Sequence, residues 1–347
     1  MSRSLSPTTA DGGGRESAAA AERERVATLL EPIAGKLAAT EARIRASVAS
    51  DVPFVERAGD YLFSAGGKRM RPALLLTCAR LLGRDSDEEV TYAAVVELIH
   101  AATLVHDDII DHSDLRRGRR AVHAVWGSDL TVLLGDWLYT TAMRLALEHD
   151  NLEIIDLFCS ATLRMTEGEL LVLERLGAAD LSLAEYYDVV DRKTAALFSA
   201  ACAAPALMRP TRAAERATLA EYGRALGICF QIVDDLLDFT AEEANLGKPV
   251  LSDLREGKLT LPLLLVLPRL TPFDRAKIEH VLADRDFRRV AREEVVELVE
   301  REGTLAEARE IAGQWAERAR RALAGLPDGE ARPALAAAVD FVLDRRA

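Results

Sequence analysis

Aromatic side chains are scarce, at 5% of the chain, and no stretch shows the alternation of β-branched and aromatic residues that marks strands. Their lack argues against a sheet protein. Positive charge is also short: 44 Lys and Arg stand against 56 Asp and Glu, a net charge of −12. Such a balance excludes nucleic acid as a partner. It would also disfavour a small anionic ligand, unless metal ions and a local basic cluster do the binding. Cysteine is confined to Cys78, Cys159, Cys202 and Cys229, far apart and with no CxxC pair. That pattern fits small core residues in a reducing cytoplasm. No segment offers the roughly 18 uninterrupted apolar residues of a membrane span. The most apolar run, Leu259–Leu267, is short and broken by Pro262. The first residues lack the apolar stretch of a secretory signal. With Gly12–Gly14 and several Ser and Thr, residues 1–22 predict a disordered tail. A cytoplasmic location is the expectation.

What is abundant is Ala, Leu, Glu and Arg, all good helix formers. Apolar residues are 49% of 347, ample for one large domain over 23–347. Val26, Leu29, Leu30, Ile33 and Leu37 share one helical face. A second helix is expected to end at Gly66–Gly67, suited to left-handed caps. Pro72 is expected to open the next helix at its first position, and Gly83 to end it. A long helix from Asp87 to His112 would span roughly 40 Å. Further helices fit 130–149, 151–175, 183–204 and 212–240, and 241–258 reads as a loop. Ser182 with Glu185 forms a capping box, and Thr271–Asp274 starts another helix. No fixed-period repeat is present, so a solenoid is excluded. The expected fold is all-α, a single large bundle of ten or more helices around a central cavity.

Two acidic clusters share one spacing. Asp107, Asp108 and Asp111 read DDIID, and Asp234, Asp235 and Asp238 read DDLLD. Each follows an apolar helical run. The first and last Asp of each cluster lie one turn apart on one face, bordered by the middle one. Three carboxylates near a helix C-terminus repel one another and the negative end of the helix dipole. The arrangement makes physical sense if cations sit on it, and hard oxygen ligands of this kind suit Mg²⁺ with phosphate oxygens completing its shell. A single cluster could be a solvated charged face; two copies point to a metal-clamped diphosphate site.

Basic residues supply the counterpart. Residues 66–72 read GGKRMRP, with Lys68, Arg69 and Arg71 at a helix start, a plausible anion site. Arg116 and Arg117 follow the first cluster, and guanidinium forks bind phosphate in bidentate fashion. Lys193, Lys248 and Lys258 are expected near the second cluster, in sequence or through the fold. His100 sits two turns before Asp107, where a lone histidine is more often a core residue. With Glu97 it spells ExxH, but no second copy exists for a di-iron bundle.

With these motifs in order, the chain resembles the trans-isoprenyl diphosphate synthase family, the polyprenyl synthetases, from about residue 25 to the end. The motifs are GGKRMRP, ELIHAATLVHDDIIDHSDLRRG, GDWLY, Lys193-Thr194, GICFQIVDDLLDF and LGKPVLSDLREGKLTLP. The resemblance implies the isoprenoid synthase fold, a homodimer, and condensation of isopentenyl diphosphate with an allylic diphosphate such as farnesyl or geranylgeranyl diphosphate. It implies Mg²⁺, about three ions per site, held by Asp107, Asp108, Asp111, Asp234 and Asp238, with Asp235 in the catalytic set. Arg116, Lys193, Lys248 and Lys258 would contact the allylic diphosphate. Lys68, Arg71, His100 and Arg117 would bind isopentenyl diphosphate, and Thr194 and Gln231 would face the developing cation. Membrane contact at product release completes the set of partners.

In this family, bulky aromatics five and four residues before the first Asp stop the product short. Here those positions are Ala102 and Thr103, and Met143 stands where long-chain relatives often carry Phe. The expected product is heptaprenyl to decaprenyl diphosphate, of the kind attached to quinones. Geranylgeranyl synthases, some with small residues here, are the nearest alternative. A terpene cyclase would lack the second DDxxD and the isopentenyl site; a non-catalytic partner subunit would lack the Asp clusters. An inert helical scaffold leaves the clustered charge unexplained.

Overall fold

Long stretches of strong helix formers, closed by local caps, give an almost wholly helical chain. The structure, a computed structural model, describes residues 27–28, 30–64, 67–116, 118–240 and 250–345. The tail over 1–22, Val26, Leu29, Gly66, Arg117 and Lys248 lie outside the described residues. In chain order the helices are α1 (Ala34–Ser47), α2 (Pro53–Ser64), α3 (Met70–Leu81) and α4 (Glu88–Ile110). Then come α5 (Val122–Trp126), α6 (Ser128–Ala146), α7 (Leu152–Glu174), α8 (Leu183–Val190) and α9 (Ala196–Leu207). The last are α10 (Ala213–Thr240), α11 (Ser252–Arg255), α12 (Leu261–Val266), α13 (Pro272–Asp284), α14 (Arg292–Arg301), α15 (Thr304–Ala324) and α16 (Arg332–Leu343). Sheet among the described residues is one two-residue antiparallel pair, Leu115–Arg116 with Arg119–Arg120.

The periodicity of an ordinary surface helix is missing from α4 and α9 because they are buried nearly all round. Tyr92 to Ile99 and Ala200 to Leu207 are almost entirely inaccessible. Around them the apolar residues form two clusters. One joins α1–α4, α6, α7 and part of α9. The other joins α3, the rest of α9, α10 and α12–α16. α4 packs on α6, and α10 on α9 and α15. The C-terminal end of α4 is tied by an ion pair from Asp111 to Lys258, which lies between α11 and α12.

Most expected boundaries agree to within a few residues. Ser182 and Glu185 form the reciprocal capping box, and Thr271 caps α13. Gly83 has φ +70 just past α3. Two expectations need correction. Pro72 is the third residue of α3, which begins at Met70 after a left-handed Arg69. Proline is tolerated there because the first four helical N–H groups have no partner within the helix. The segment 241–258 is not all loop: Ser252–Arg255 is a short helix.

Candidate active site

Asp107 and Asp108 sit in the last turn of α4, and Asp111 caps it, its N–H donating to the Asp107 carbonyl at 2.8 Å. Burial pushes the Asp107 carboxyl up to about 6; Glu169 and Asp111 add to the effect and Lys193 opposes it. Asp108, only 3% exposed, accepts from Arg116 Nε at 2.5 Å. Asp111 accepts from Lys258 Nζ at 2.7 Å. Burial alone would lower the Lys258 ammonium, but the Asp111 and Glu256 carboxylates overcome this and hold it above its usual value.

The second cluster, at the end of α10, divides its labour. Asp234 faces Arg345, 3.3 Å away near the chain's end, whose guanidinium lies over Phe230. Asp235 is buried in a network: it accepts from Tyr186 OH at 2.6 Å and Gln231 Nε2 at 2.9 Å, and Thr194 Oγ1 donates to Gln231 Oε1 at 2.7 Å. Burial first, then the Asp253 carboxylate, raises Asp235 to about 7. Asp238, one turn beyond Asp234 on α10, is held by a returning segment of the chain. Its Oδ1 accepts from Ser252 N and Oγ, and its Oδ2 from Asp253 N. It therefore caps α11, because the chain folds back to place that helix start over it.

Lys193 and Thr194 lie in a π-helical turn, Asp191–Ala195, between α8 and α9. Such turns are frequent at functional sites. Glycines allow it: a Cβ on Gly168 of α7 would fall 2.7 Å from Lys193 N, and one on Gly227 of α10 would fall 2.7 Å from Ala195 Cα. Lys193 pairs with Glu169. Its neighbour Arg192 turns to Glu167 and Asp188 on the outer surface. A cavity of about 150 Å³ opens beside Lys193, Thr194, Gln231 and Lys258, with Leu171, Val172 and Tyr186 in its wall.

Lys68 and Arg71 flank the start of α3, Lys68 over the Phe341 ring and Arg71 over Phe198. His100 is half-buried on α4, its carbonyl accepting from Thr103 Oγ1 at 2.9 Å. Ala102 is buried beside it. Met143 meets Cys159, Sδ to Sγ 3.7 Å.

Sequence reasoning missed Glu169 and Arg345. Glu169 is buried, with Oε1 lacking a hydrogen-bond partner among the described residues. Its signal was an acid on the face of α7 that carries Phe158, Ala161 and Met165. Arg345 had none, since only the fold carries the chain's end to Asp234.

Among the described residues no three acidic or thiol or imidazole groups stand close enough to share one ion. The fit to divalent cations is electrostatic. Asp107, Asp111 and Asp234 are hard oxygen donors whose charge is met here by Lys193, Lys258 and Arg345.

Two acidic helix ends ringed by cations, in an all-helical bundle, define a helical enzyme of the prenyltransferase class. The family model for polyprenyl synthetase matches residues 52–299, and the chain belongs to that family. It is 37% identical over 315 residues to octaprenyl diphosphate synthase of Escherichia coli, covering 91% of this chain and 97% of that protein. It is 37% identical over 308 residues to a short chain isoprenyl diphosphate synthase of Methanothermobacter thermautotrophicus, covering 87% of this chain and 94% of that one. Its fold matches the crystal structure of polyprenyl synthase from Caulobacter crescentus complexed with calcium and isoprenyl diphosphate. That match has TM-score 0.89 and 37% identity, over 93% of this chain and 98% of the other. The chain acts on isoprenoid diphosphates, as this family does. No described helix is long and apolar enough to cross a membrane.

Proposed function

We propose that the chain condenses isopentenyl diphosphate head-to-tail with an allylic diphosphate, farnesyl or geranylgeranyl, to make an all-trans heptaprenyl to decaprenyl diphosphate. The observation that carries this reading is the bridging of the two acidic helix ends by the segment 252–261: Ser252 and Leu261 N–H groups donate to Asp238 and Asp235, and Lys258 pairs with Asp111, while Lys193 pairs with Glu169 beside Asp107. Asp107, Asp111 and Asp234 would hold Mg²⁺, while Asp108 orients Arg116 and Asp238 caps α11. When bound, the ions neutralise charge on the departing allylic diphosphate. Lys193, Lys258 and Arg116 bind and orient that diphosphate. Lys68, Arg71 and His100 hold isopentenyl diphosphate close enough for its double bond to attack the allylic carbon. The Asp235–Gln231–Thr194 chain fixes polar oxygens beside the developing cation, and the apolar walls of α4, α7 and α10 keep water out. The departing diphosphate takes the final proton, so no side-chain base is assigned.

Small Ala102 and Thr103 below Asp107, and flexible Met143, support a long product, as does the similarity to an octaprenyl synthase. A geranylgeranyl-length product is the alternative, favoured by the equal identity to a short-chain relative. Leu130 and Leu133 on α6, Leu147 beyond it, and Leu163 and Leu170 on α7 are exposed, an amount of uncovered apolar surface that supports a homodimer. A cytoplasmic location, with membrane contact at product release, fits the free cysteines and the apolar product.

The test is incubation with Mg²⁺, labelled isopentenyl diphosphate and farnesyl diphosphate, then sizing of the dephosphorylated products. A heptaprenyl to decaprenyl ladder supports the whole reading. A stop at geranylgeranyl keeps the chemistry and removes the long-chain assignment. No condensation with any allylic primer removes the reading. Ala102→Phe should shorten the product; an unchanged ladder takes Ala102 off the growing chain's path.

A further inference from the structure

Of the three cations in GGKRMRP, Arg69 has no part in the proposed chemistry, yet it is the one in a costly conformation. Its φ of 44 and ψ of 35 are left-handed, a region that residues with a Cβ rarely enter unless their surroundings hold them there. The reversal sends its side chain away from those of its neighbours. Lys68 lies over Phe341 and Arg71 over Phe198, both rings of the second apolar cluster. Arg69 lies instead over Phe63, in the first cluster, 5.8 Å from the ring centroid. Its Nη1 donates to Glu97 Oε1 at 2.6 Å. Both side chains are nearly sealed, at 10% and 8% exposure, and Glu41 stands 3.5 Å from the Arg69 Nε.

Glu97 lies one turn before His100 on α4. The pair therefore ties the segment carrying Lys68 and Arg71 to the helix carrying His100. A planar guanidinium gripping a buried carboxylate fixes direction as well as distance. We infer that Arg69 and Glu97 are positioning residues for isopentenyl diphosphate: their buried ion pair holds the left-handed turn that aims Lys68 and Arg71 at the same diphosphate as His100. The inference rests on the assignment of Lys68, Arg71 and His100 proposed above. It also explains the lone ExxH: its Glu serves the loop and its His the substrate.

The experiment measures KM for each substrate, with the other saturating, and the thermal midpoint, in Lys68→Ala, Arg69→Met, Glu97→Ala, Glu97→Gln and the double variant Arg69→Met/Glu97→Met. Lys68→Ala tests the underlying assignment. It should raise KM for isopentenyl diphosphate about tenfold or more and leave KM for farnesyl diphosphate nearly unchanged. Arg69→Met and Glu97→Ala should show the same split, and Glu97→Gln, which keeps an acceptor for Nη1, should recover most of it. The double variant leaves no buried orphan charge, since Glu41 stays half-exposed to water, so it should regain the thermal midpoint while keeping the raised KM. If the double variant restores both the midpoint and the KM, or if both KM values rise together, the pair is only structural and the inference is overturned. If Lys68→Ala leaves KM for isopentenyl diphosphate unchanged, the anion site itself lies elsewhere and both readings fall.

Discussion

Asp107 and Asp108 are neighbours in sequence, and the fold gives them different tasks. Asp108 is neutralised by Arg116, whereas burial leaves Asp107 raised to about 6. A carboxyl raised in the folded state opposes folding once it ionises, because the unfolded chain holds the charge at less cost. In chelator, stability should therefore fall as pH rises from the ordinary 3.8 through about 6, and Mg²⁺ should reverse the fall. Thermal midpoints of the protein and of Asp107→Asn across that window check this; an equal pH slope in the variant would clear Asp107 of the effect. Asp107→Asn and Asp234→Asn should each lower turnover by about three orders of magnitude with the helical circular dichroism intact, since each removes a charge that no neighbour replaces. Both DDxxD clusters were legible in the sequence because like charges crowded on a helix face demand a reason. The capping role of Asp238 was not legible, because its partners Ser252 and Asp253 are brought to it only by the return of the chain.

At the scale of the element, local signals spoke clearly. Ser182 and Glu185 cap α8 through contacts three residues apart, so the sequence contains the whole interaction. The π-turn at Asp191–Ala195 is the opposite case. Nothing in the residues themselves asks for it; it exists where α7 and α10 press on α8 and α9 through Gly168 and Gly227. Gly168→Ala or Gly227→Ala should cost roughly 1–3 kcal/mol by overpacking, and should lower kcat by moving Lys193 and Thr194. Chemical denaturation and steady-state kinetics check this, and a wild-type kcat in a destabilised Gly168→Ala protein would detach the turn from catalysis.

At the scale of the molecule, the exposed leucines of α6 and α7 bear on assembly. Leu133→Glu combined with Leu163→Glu should convert a dimer to a monomer in sedimentation velocity, because a buried unpaired carboxylate opposes association. A dimer that survives the change places its interface on another face. By itself the sequence determined the helical class, the helix limits set by local caps, and the two acidic clusters with their basic counterparts. These are properties of neighbours within a turn or two, and composition and spacing record them. The tertiary structure alone decided which cation meets which aspartate: Lys258 comes to Asp111 across 147 residues and Arg345 to Asp234 across 111. It likewise decided that Arg69 turns to Glu97. Such pairings depend on where packed helices bring distant residues, and no local pattern carries that information.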